Sequence, residues 1–204
     1  MKKFFIVLLL CVLLPCSLFA AADEYKTGSM MFTFKAGTTM PAFVKFFDSS
    51  SGYTEPFVLF GDGDNKTKLN WGGYFSLSFE GFTTSKLSLG GELGYDFNYT
   101  IGSTIFSIVP LFFKVTYYPF QGFFDMPISI GLGGSYWRYG TDKSLLTLYS
   151  NVDIGFVFYF WDNWGIGLHT GLWLVPELDY KKDDWNNNGI IGFMPITLSV
   201  TYRS

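Results

Sequence analysis

The sequence predicts an all-β fold, an eight-stranded antiparallel up-and-down transmembrane β-barrel, and three observations carry that reading. Across 69–99 the odd positions Leu69, Trp71, Gly73, Phe75, Leu77 and Phe79, then Leu87, Leu89, Gly91, Leu93, Tyr95, Phe97 and Tyr99, carry no charge. The even positions hold Asn70, Ser76, Ser78, Glu80, Glu92, Asp96 and Asn98. A period of two is a strand with two chemically different faces, and a wholly apolar face opposite a polar one is how a strand meets lipid with its other side in a lumen. Secondly, the chain is 49% hydrophobic and 21% aromatic, yet after its first residues no stretch is long enough for a transmembrane helix. Thirdly, the only cysteines, Cys11 and Cys16, fall in the N-terminal segment, and a closed barrel that pairs its own backbone needs no disulfide staple.

Residues 1–22 read as a secretory signal peptide that is removed, leaving one domain over 23–204. Lys2 and Lys3 precede an apolar run that breaks at Pro15, and Ala20, Ala21 and Ala22 supply a small-residue cleavage site. An uncleaved anchor helix and lipidation at Cys16 are the rivals; Pro15 and the alanine triplet favour processing. The mature chain would carry 12 basic against 17 acidic residues. Without a basic stripe it has no nucleic-acid partner.

The remaining strands follow in order. The first, about 29–40, sends Met30, Phe32, Phe34 and Ala36 outward and Thr33, Lys35, Gly37 and Thr39 inward. The second and third are the two runs above. The fourth, about 103–118, sets Val109, Leu111, Phe113, Val115 and Tyr117 outside against Lys114 and Thr116. The fifth turns Ile128, Ile130, Leu132 and Tyr136 to lipid, and the sixth Leu148, Val152, Ile154, Phe156, Phe158 and Phe160. Inside the sixth lie Thr147, Tyr149, Asn151, Asp153 and Tyr159. In the seventh, Trp164, Ile166, Leu168, Leu172 and Leu174 oppose Gly165, Gly167, His169 and Gly171; the last places Ile196, Leu198, Val200 and Tyr202 against Thr197, Ser199, Thr201 and Arg203.

Connections alternate between short and long, as the periplasmic and exterior ends of such a barrel require. The longest, 41–68 and 176–188, lie at the end away from the termini. Tyr117, Tyr118, Phe120, Phe123 and Phe124, with Phe160, Trp161, Trp164 and Tyr202, would form the periplasmic aromatic girdle.

The segments VPLFFKVTYYP (109–119), PISIGLGGSY (127–136), DNWGIG (162–167) and PITLSVTYR (195–203) resemble the outer-membrane β-barrel domain superfamily, which includes the small OmpA-like and OmpW-like barrels. FKAGTTMP (34–41) and the closing Tyr202, Arg203 pair point to the OmpW side. The resemblance implies residence in the bacterial outer membrane, lipid contact and insertion by the barrel-assembly machinery. That machinery reads a terminal aromatic residue where this chain has Ser204.

The candidate lumen network is Lys35, Glu80, Glu92, Asp96, Lys114, Asp153 and His169, and buried charges of this kind must be paired. Hairpin turns near 84–85 and 101–102 put Glu80, Gly90 and Lys114 in one row across three strands, with Gly90 leaving the gap for the outer two to meet. His169 has no second histidine or cysteine beside it and is read as a hydrogen-bonded lumen residue. Asp62, Gly63, Asp64 and Asn65 lack the downstream glutamate of a calcium loop. No metal, cofactor, phosphate loop or Ser-His-acid set is expected, and the chain is not read as an enzyme.

The OmpW resemblance implies passage of small apolar molecules released sideways into the membrane. Phe106, Ile108 and Phe112 share the inward phase of the fourth strand as a candidate path, with Pro110 between them able to open the wall. The alternative is a structural or surface-interaction barrel whose outer loops meet host surface molecules or envelope components. A soluble calyx would need the opposite assignment of faces. The many large residues of the charge-poor face, such as Phe75, Leu77 and Phe156, fit a broad exterior better than a narrow interior.

Overall fold

Burial alternates along the strands with the period the sequence demands. In the segment that begins at Ile105, Leu111 and Phe113 are 64% and 83% exposed, while Phe112 and Lys114 are 2% and 5% exposed. The apolar residues face out and the charges face in, the inverse of a water-soluble protein. The computed structural model describes residues 25–46, 69–100, 103–140, 143–177 and 189–204. These form β1 (Met30–Phe46), β2 (Leu69–Phe82), β3 (Leu87–Thr100), β4 (Ile105–Tyr117), β5 (Phe124–Asp125), β6 (Ile128–Tyr139), β7 (Lys143–Tyr159), β8 (Trp164–Glu177) and β9 (Gly189–Arg203).

Eight long strands make the wall, each paired antiparallel to its neighbours, and the β1–β9 and β7–β8 pairings close it. Closure leaves no edge, so every spanning strand finds its backbone partners within the protein. The two-residue β5 continues the line of β6 along β7, pairing Phe124 with Phe158 and Asp125 with Val157. Both described termini lie at the end of the short turns, where the Ser204 amide donates to the Met30 carbonyl. By the rule for such barrels, that end is periplasmic.

Several expectations are corrected. The first strand continues beyond 40 to Phe46 through a bulge between Pro41 and Phe43, so it takes the start of the expected 41–68 loop. Residues 47–68 lie outside the described set, as do 178–188 and the whole of the expected signal segment 1–22. The strand from Trp164 runs on to Glu177, into the start of the expected 176–188 loop, and the last strand begins at Gly189, where that loop is expected to end.

A second bulge, between Leu69 and Gly72, shifts the β2–β3 register by one residue. Such a slip exchanges faces: Asn70 is exposed and Leu69 packs on the internal cluster, opposite to their places in the strict alternation. Tyr118 also leaves the girdle. It follows outward Tyr117 by one position and is therefore buried inside, whereas Phe123, Phe160, Trp161 and Trp164 are exposed on the belt.

Candidate functional site

The lumen is built in three levels. At the middle one, β2, β3 and β4 pair Glu80 with Gly90 and Gly90 with Lys114. A Cβ on Gly90 would stand 2.0 Å from the Phe79 carbonyl and 2.7 Å from the Glu80 Cγ, so only glycine lets the carboxylate cross to the far strand. Lys114 Nζ lies 2.7 Å from Glu80 Oε1 and 3.2 Å from Glu92 Oε2. Lys35 Nζ extends the chain, 3.4 Å from Glu92 Oε2 and 3.6 Å from Asp153 Oδ1. Asp153 meets His169 Nδ1 at 3.2 Å, and His169 Nε2 lies 2.9 Å from Ser199 Oγ.

Every barrel strand except β6 supplies a member of this chain. Its charges are hydrogen-bonded as well as paired: Tyr74 and Ser76 donate to Glu92 Oε1 at 2.9 and 2.7 Å, and Ser88 donates to Glu80 Oε2. Buried ions survive only with such partners, because each has left water.

Ser199, His169 and Asp153 correct one expectation. The sequence reading found no Ser-His-acid set, since the three residues come from three strands and only the barrel register joins them. Gly155 makes the join possible: a Cβ there would lie 2.3 Å from His169 Nδ1. The connectivity is that of a hydrolytic triad. Asp153 is nevertheless shared with Lys35, and the enclosed cavity beside His169 and Asp153 has a volume of about 10 Å³. That is room for one water.

Below this level, at the periplasmic end, lies a group that sequence reasoning missed. Tyr25 turns back under the barrel, its ring stacked on Phe82 at 4.0 Å, and its hydroxyl donates to Asp125 Oδ2 and meets Tyr159 Oη at 3.3 Å. The Arg203 guanidinium sits 3.7 Å from the centre of the Tyr159 ring and 5.8 Å from that of Tyr25. Burial, then the neighbouring Asp125 charge, raises the Tyr25 hydroxyl well above its ordinary value. Burial likewise pushes the Asp125 carboxyl, in the β4–β6 link, up to about 6.

Above the ion chain is an aromatic level of Tyr74, Phe106, Ile108, Phe112, Trp137, Tyr149, Trp173, Val175, Ile191 and Phe193. The candidate path residues Phe106, Ile108 and Phe112 are thus packed in this cluster, Phe112 against Tyr149 at 4.9 Å and Phe106 against Trp137 at 5.6 Å. Trp173 was findable from its phase, two residues beyond Gly171 on the inward side of β8. Asp96 lies at this level with Thr39 donating to its Oδ1 at 2.6 Å, apart from the ion chain. Pro110 is built into the wall opposite Ser135. On the β3 side, pairing stops at Leu93–Leu111 and resumes at Asp96–Ile108.

Among the described residues no group of three or more His, Cys, Asp or Glu is arranged to hold a metal ion.

A protein-family model matches residues 18–202. A protein described as uncharacterized, from Treponema pallidum (strain Nichols), is 31% identical over 136 residues, which is 67% of this chain. The chain spans 60% of that relative's length. Among solved structures, Neisserial surface protein A superposes with a TM-score of 0.58 at 12% identity, covering 86% of this chain and 96% of its own. The outer membrane protein OprG of Pseudomonas aeruginosa gives 0.49 at 10% identity, over 89% of this chain and 99% of its own. With its closed wall, apolar outer face and polar lumen, the chain belongs to the family matched over residues 18–202, and its fold is the small eight-stranded β-barrel of the bacterial outer membrane.

Proposed function

We propose that the protein is a closed-lumen barrel that acts from its exterior, a structural or surface-interaction protein rather than a conduit. One observation carries this reading: the interior is packed at three successive levels, by the Tyr25–Asp125–Arg203 closure, the ion chain and the aromatic cluster. Loops on a rigid scaffold are where binding concentrates. The loops at the end away from the termini would meet host surface molecules or other envelope components. Outer-membrane lipid and the barrel-assembly machinery are the partners during insertion, after removal of residues 1–22.

A role without catalysis is part of the proposal. Ser199 is sealed in the lumen at 2% exposure, the cavity beside its partner His169 is sized for a single water, and Lys35 competes with His169 for Asp153. A substrate carbonyl has nowhere to sit. The test is conductance of the refolded protein in planar bilayers. A quiet membrane is expected, and steady porin-like steps would overturn the closed-lumen reading.

The passage of small apolar molecules is kept as a second reading because of the lapse in β3–β4 pairing beside Pro110. Proline has no N–H for the ladder, and the wall is weakest where a ladder bond is missing. Replacing Pro110 with isoleucine should then reduce uptake of an apolar solute by cells, with no change in the amount of folded barrel. Unchanged uptake would remove this reading.

A further inference from the structure

The outward wall is apolar with one exception. Among the strand residues whose side chains are described, Arg138 is the single charged residue on the lipid-facing phase, and every other charged one is buried. Its neighbours in β6 fix that phase: Tyr136 is 46% exposed and Trp137 is buried. None of the ion pairs among the described residues includes Arg138.

The height of Arg138 on the wall follows from its strand. Ile128, the first residue of β6, pairs with the girdle residue Tyr117 at the periplasmic headgroup level. From Ile128 to Arg138 the strand advances ten residues. At a rise of about 3.4 Å per residue and a tilt of about 40°, it climbs about 26 Å, and the apolar band of such a barrel is about 25 Å tall. Arg138 therefore stands at the headgroup level of the outer leaflet, where an outward charge is tolerated, and not at the midplane, where it is costly.

Two features around Arg138 are those of a binding site. The first is a polar row: Arg138 pairs with Ser107 on β4 and with Ser144 on β7. Ser107 lies between the buried Phe106 and Ile108, and Ser144 is two residues before the exposed Leu146, so both serines share the outward phase. Directly paired residues have Cβ atoms about 4.5–5.5 Å apart, which puts a hydroxyl on either side of the arginine. The second is a furrow beneath that row. The next outward row is Val109, Tyr136 and Leu146, and the one below it is Leu111, Gly134 and Leu148. Leu111 and Leu148 are 64% and 57% exposed, and between them Gly134 leaves a gap in the apolar surface. Crowding does not require this glycine. A Cβ there would meet nothing nearer than the Thr147 carbonyl at 3.7 Å, whereas at the adjacent Gly133 it would stand 2.2 Å from the Leu111 carbonyl.

The row and the furrow fit the two halves of one amphiphile. A planar guanidinium matches the paired oxygens of a phosphate, and serine hydroxyls can donate to the oxygens it leaves. An acyl chain descending from that phosphate passes Tyr136 and reaches the gap between Leu111 and Leu148. We propose that Arg138, Ser107 and Ser144 bind the phosphate of an anionic phospholipid in the outer leaflet, with one acyl chain lying in the furrow over Gly134. A basic side chain at the membrane surface draws anionic lipid, so a headgroup that carries its own cation is the poorer ligand. The site is on the outer wall and does not depend on whether the lumen conducts.

The test uses protein refolded into an uncharged detergent, with phosphatidylglycerol titrated into the micelles. The unfolding midpoint is read from the gel mobility of unboiled samples after heating; phosphatidylcholine and sodium phosphate are the controls. A saturable rise with phosphatidylglycerol alone is expected, because a ligand that binds only the folded state stabilises it by mass action. Arg138→Gln should raise the half-saturating mole fraction of lipid by about tenfold or more, the scale of a hydrogen bond to a charged group. Gly134→Leu fills the furrow and should raise it severalfold with the headgroup partners intact. Lys26→Gln removes an exposed cation at the periplasmic end and should leave it unchanged. No rise in the natural protein, an equal rise with phosphatidylcholine, or undiminished affinity in Arg138→Gln or Gly134→Leu would each overturn the site. A matching rise with sodium phosphate would mean capture of a free anion, and an equal loss in Lys26→Gln would mean diffuse attraction by net charge; either result overturns the lipid site.

Discussion

Glu80 and Lys114 stand on strands that are not neighbours, yet their charged atoms are 2.7 Å apart over Gly90. Both are almost fully buried, so neither is solvated by water if the other is cut away. Lys114→Met should therefore destabilise the barrel by about 3–5 kcal/mol, the cost of an orphaned buried ion. The double change Glu80→Gln with Lys114→Met should recover a large part of that loss. Denaturant unfolding in micelles gives the coupling energy, and simple additivity would mean that the pair contributes nothing as a pair.

The lipid face offers a depth test. Leu93 lies midway along β3 and is 52% exposed on the outer surface, while Tyr99 is next to the end of the strand. Leu93→Arg should cost about 2–4 kcal/mol and Tyr99→Arg about 0–1 kcal/mol, following the fall in cost from midplane to interface. Equal costs measured by refolding into bilayers would place the hydrocarbon belt elsewhere.

Asp125 sets a pH dependence at the periplasmic end. Burial holds its carboxyl at about 6 in the folded protein, above the ordinary aspartate value of about 3.9. Between those two values the folded state binds more protons than the unfolded chain, so stability falls as pH rises through this window and is level above it. The groups facing it are Tyr25, Tyr159 and Arg203. The natural protein should lose about 2–3 kcal/mol relative to Asp125→Asn between pH 4 and 7. A difference between the two proteins that does not change with pH would show that Asp125 ionises normally.

Which of these relationships could be read from the sequence follows from their range. Face assignment came from period two alone, and the Glu80–Gly90–Lys114 row came from two short turns that set the register of three consecutive strands. The Asp153–His169–Ser199 chain needs the registers of β7 on β8 and of β8 on β9, and the second of these joins strands separated by a long connection that fixes no register in the sequence. Leu69 and Asn70 were misassigned because a bulge adds one residue without leaving a compositional mark. Tyr74 and Trp173 lie on the inward phase, but a tally of charged and polar residues passes over aromatic ones. Tyr25 precedes the first strand, so no periodicity extends to it.

Tyr25 closes the periplasmic end, and its removal is the most direct test of how the lumen is sealed. Its ring is 3% exposed, stacked on Phe82 and tilted against Tyr118 at 5.7 Å, and its hydroxyl meets Asp125 and Tyr159. Immediately above lies the enclosed cavity lined by Tyr118, Asp125, Ser129, Asp153, Tyr159 and His169. Tyr25→Ala should cost roughly 3–5 kcal/mol, the range for truncating a buried aromatic residue. The wall itself should persist, because no β-ladder pairing involves residue 25. Water would then enter from below. A cysteine placed at Ser129 should resist a small thiol reagent in the otherwise natural protein and react with it when Tyr25 is alanine, with parent proteins lacking that cysteine as the labelling blanks. Equal labelling in both backgrounds, with the folded gel mobility retained, would mean that the seal lies higher, in the ion chain, and that Tyr25 only anchors the N-terminal segment.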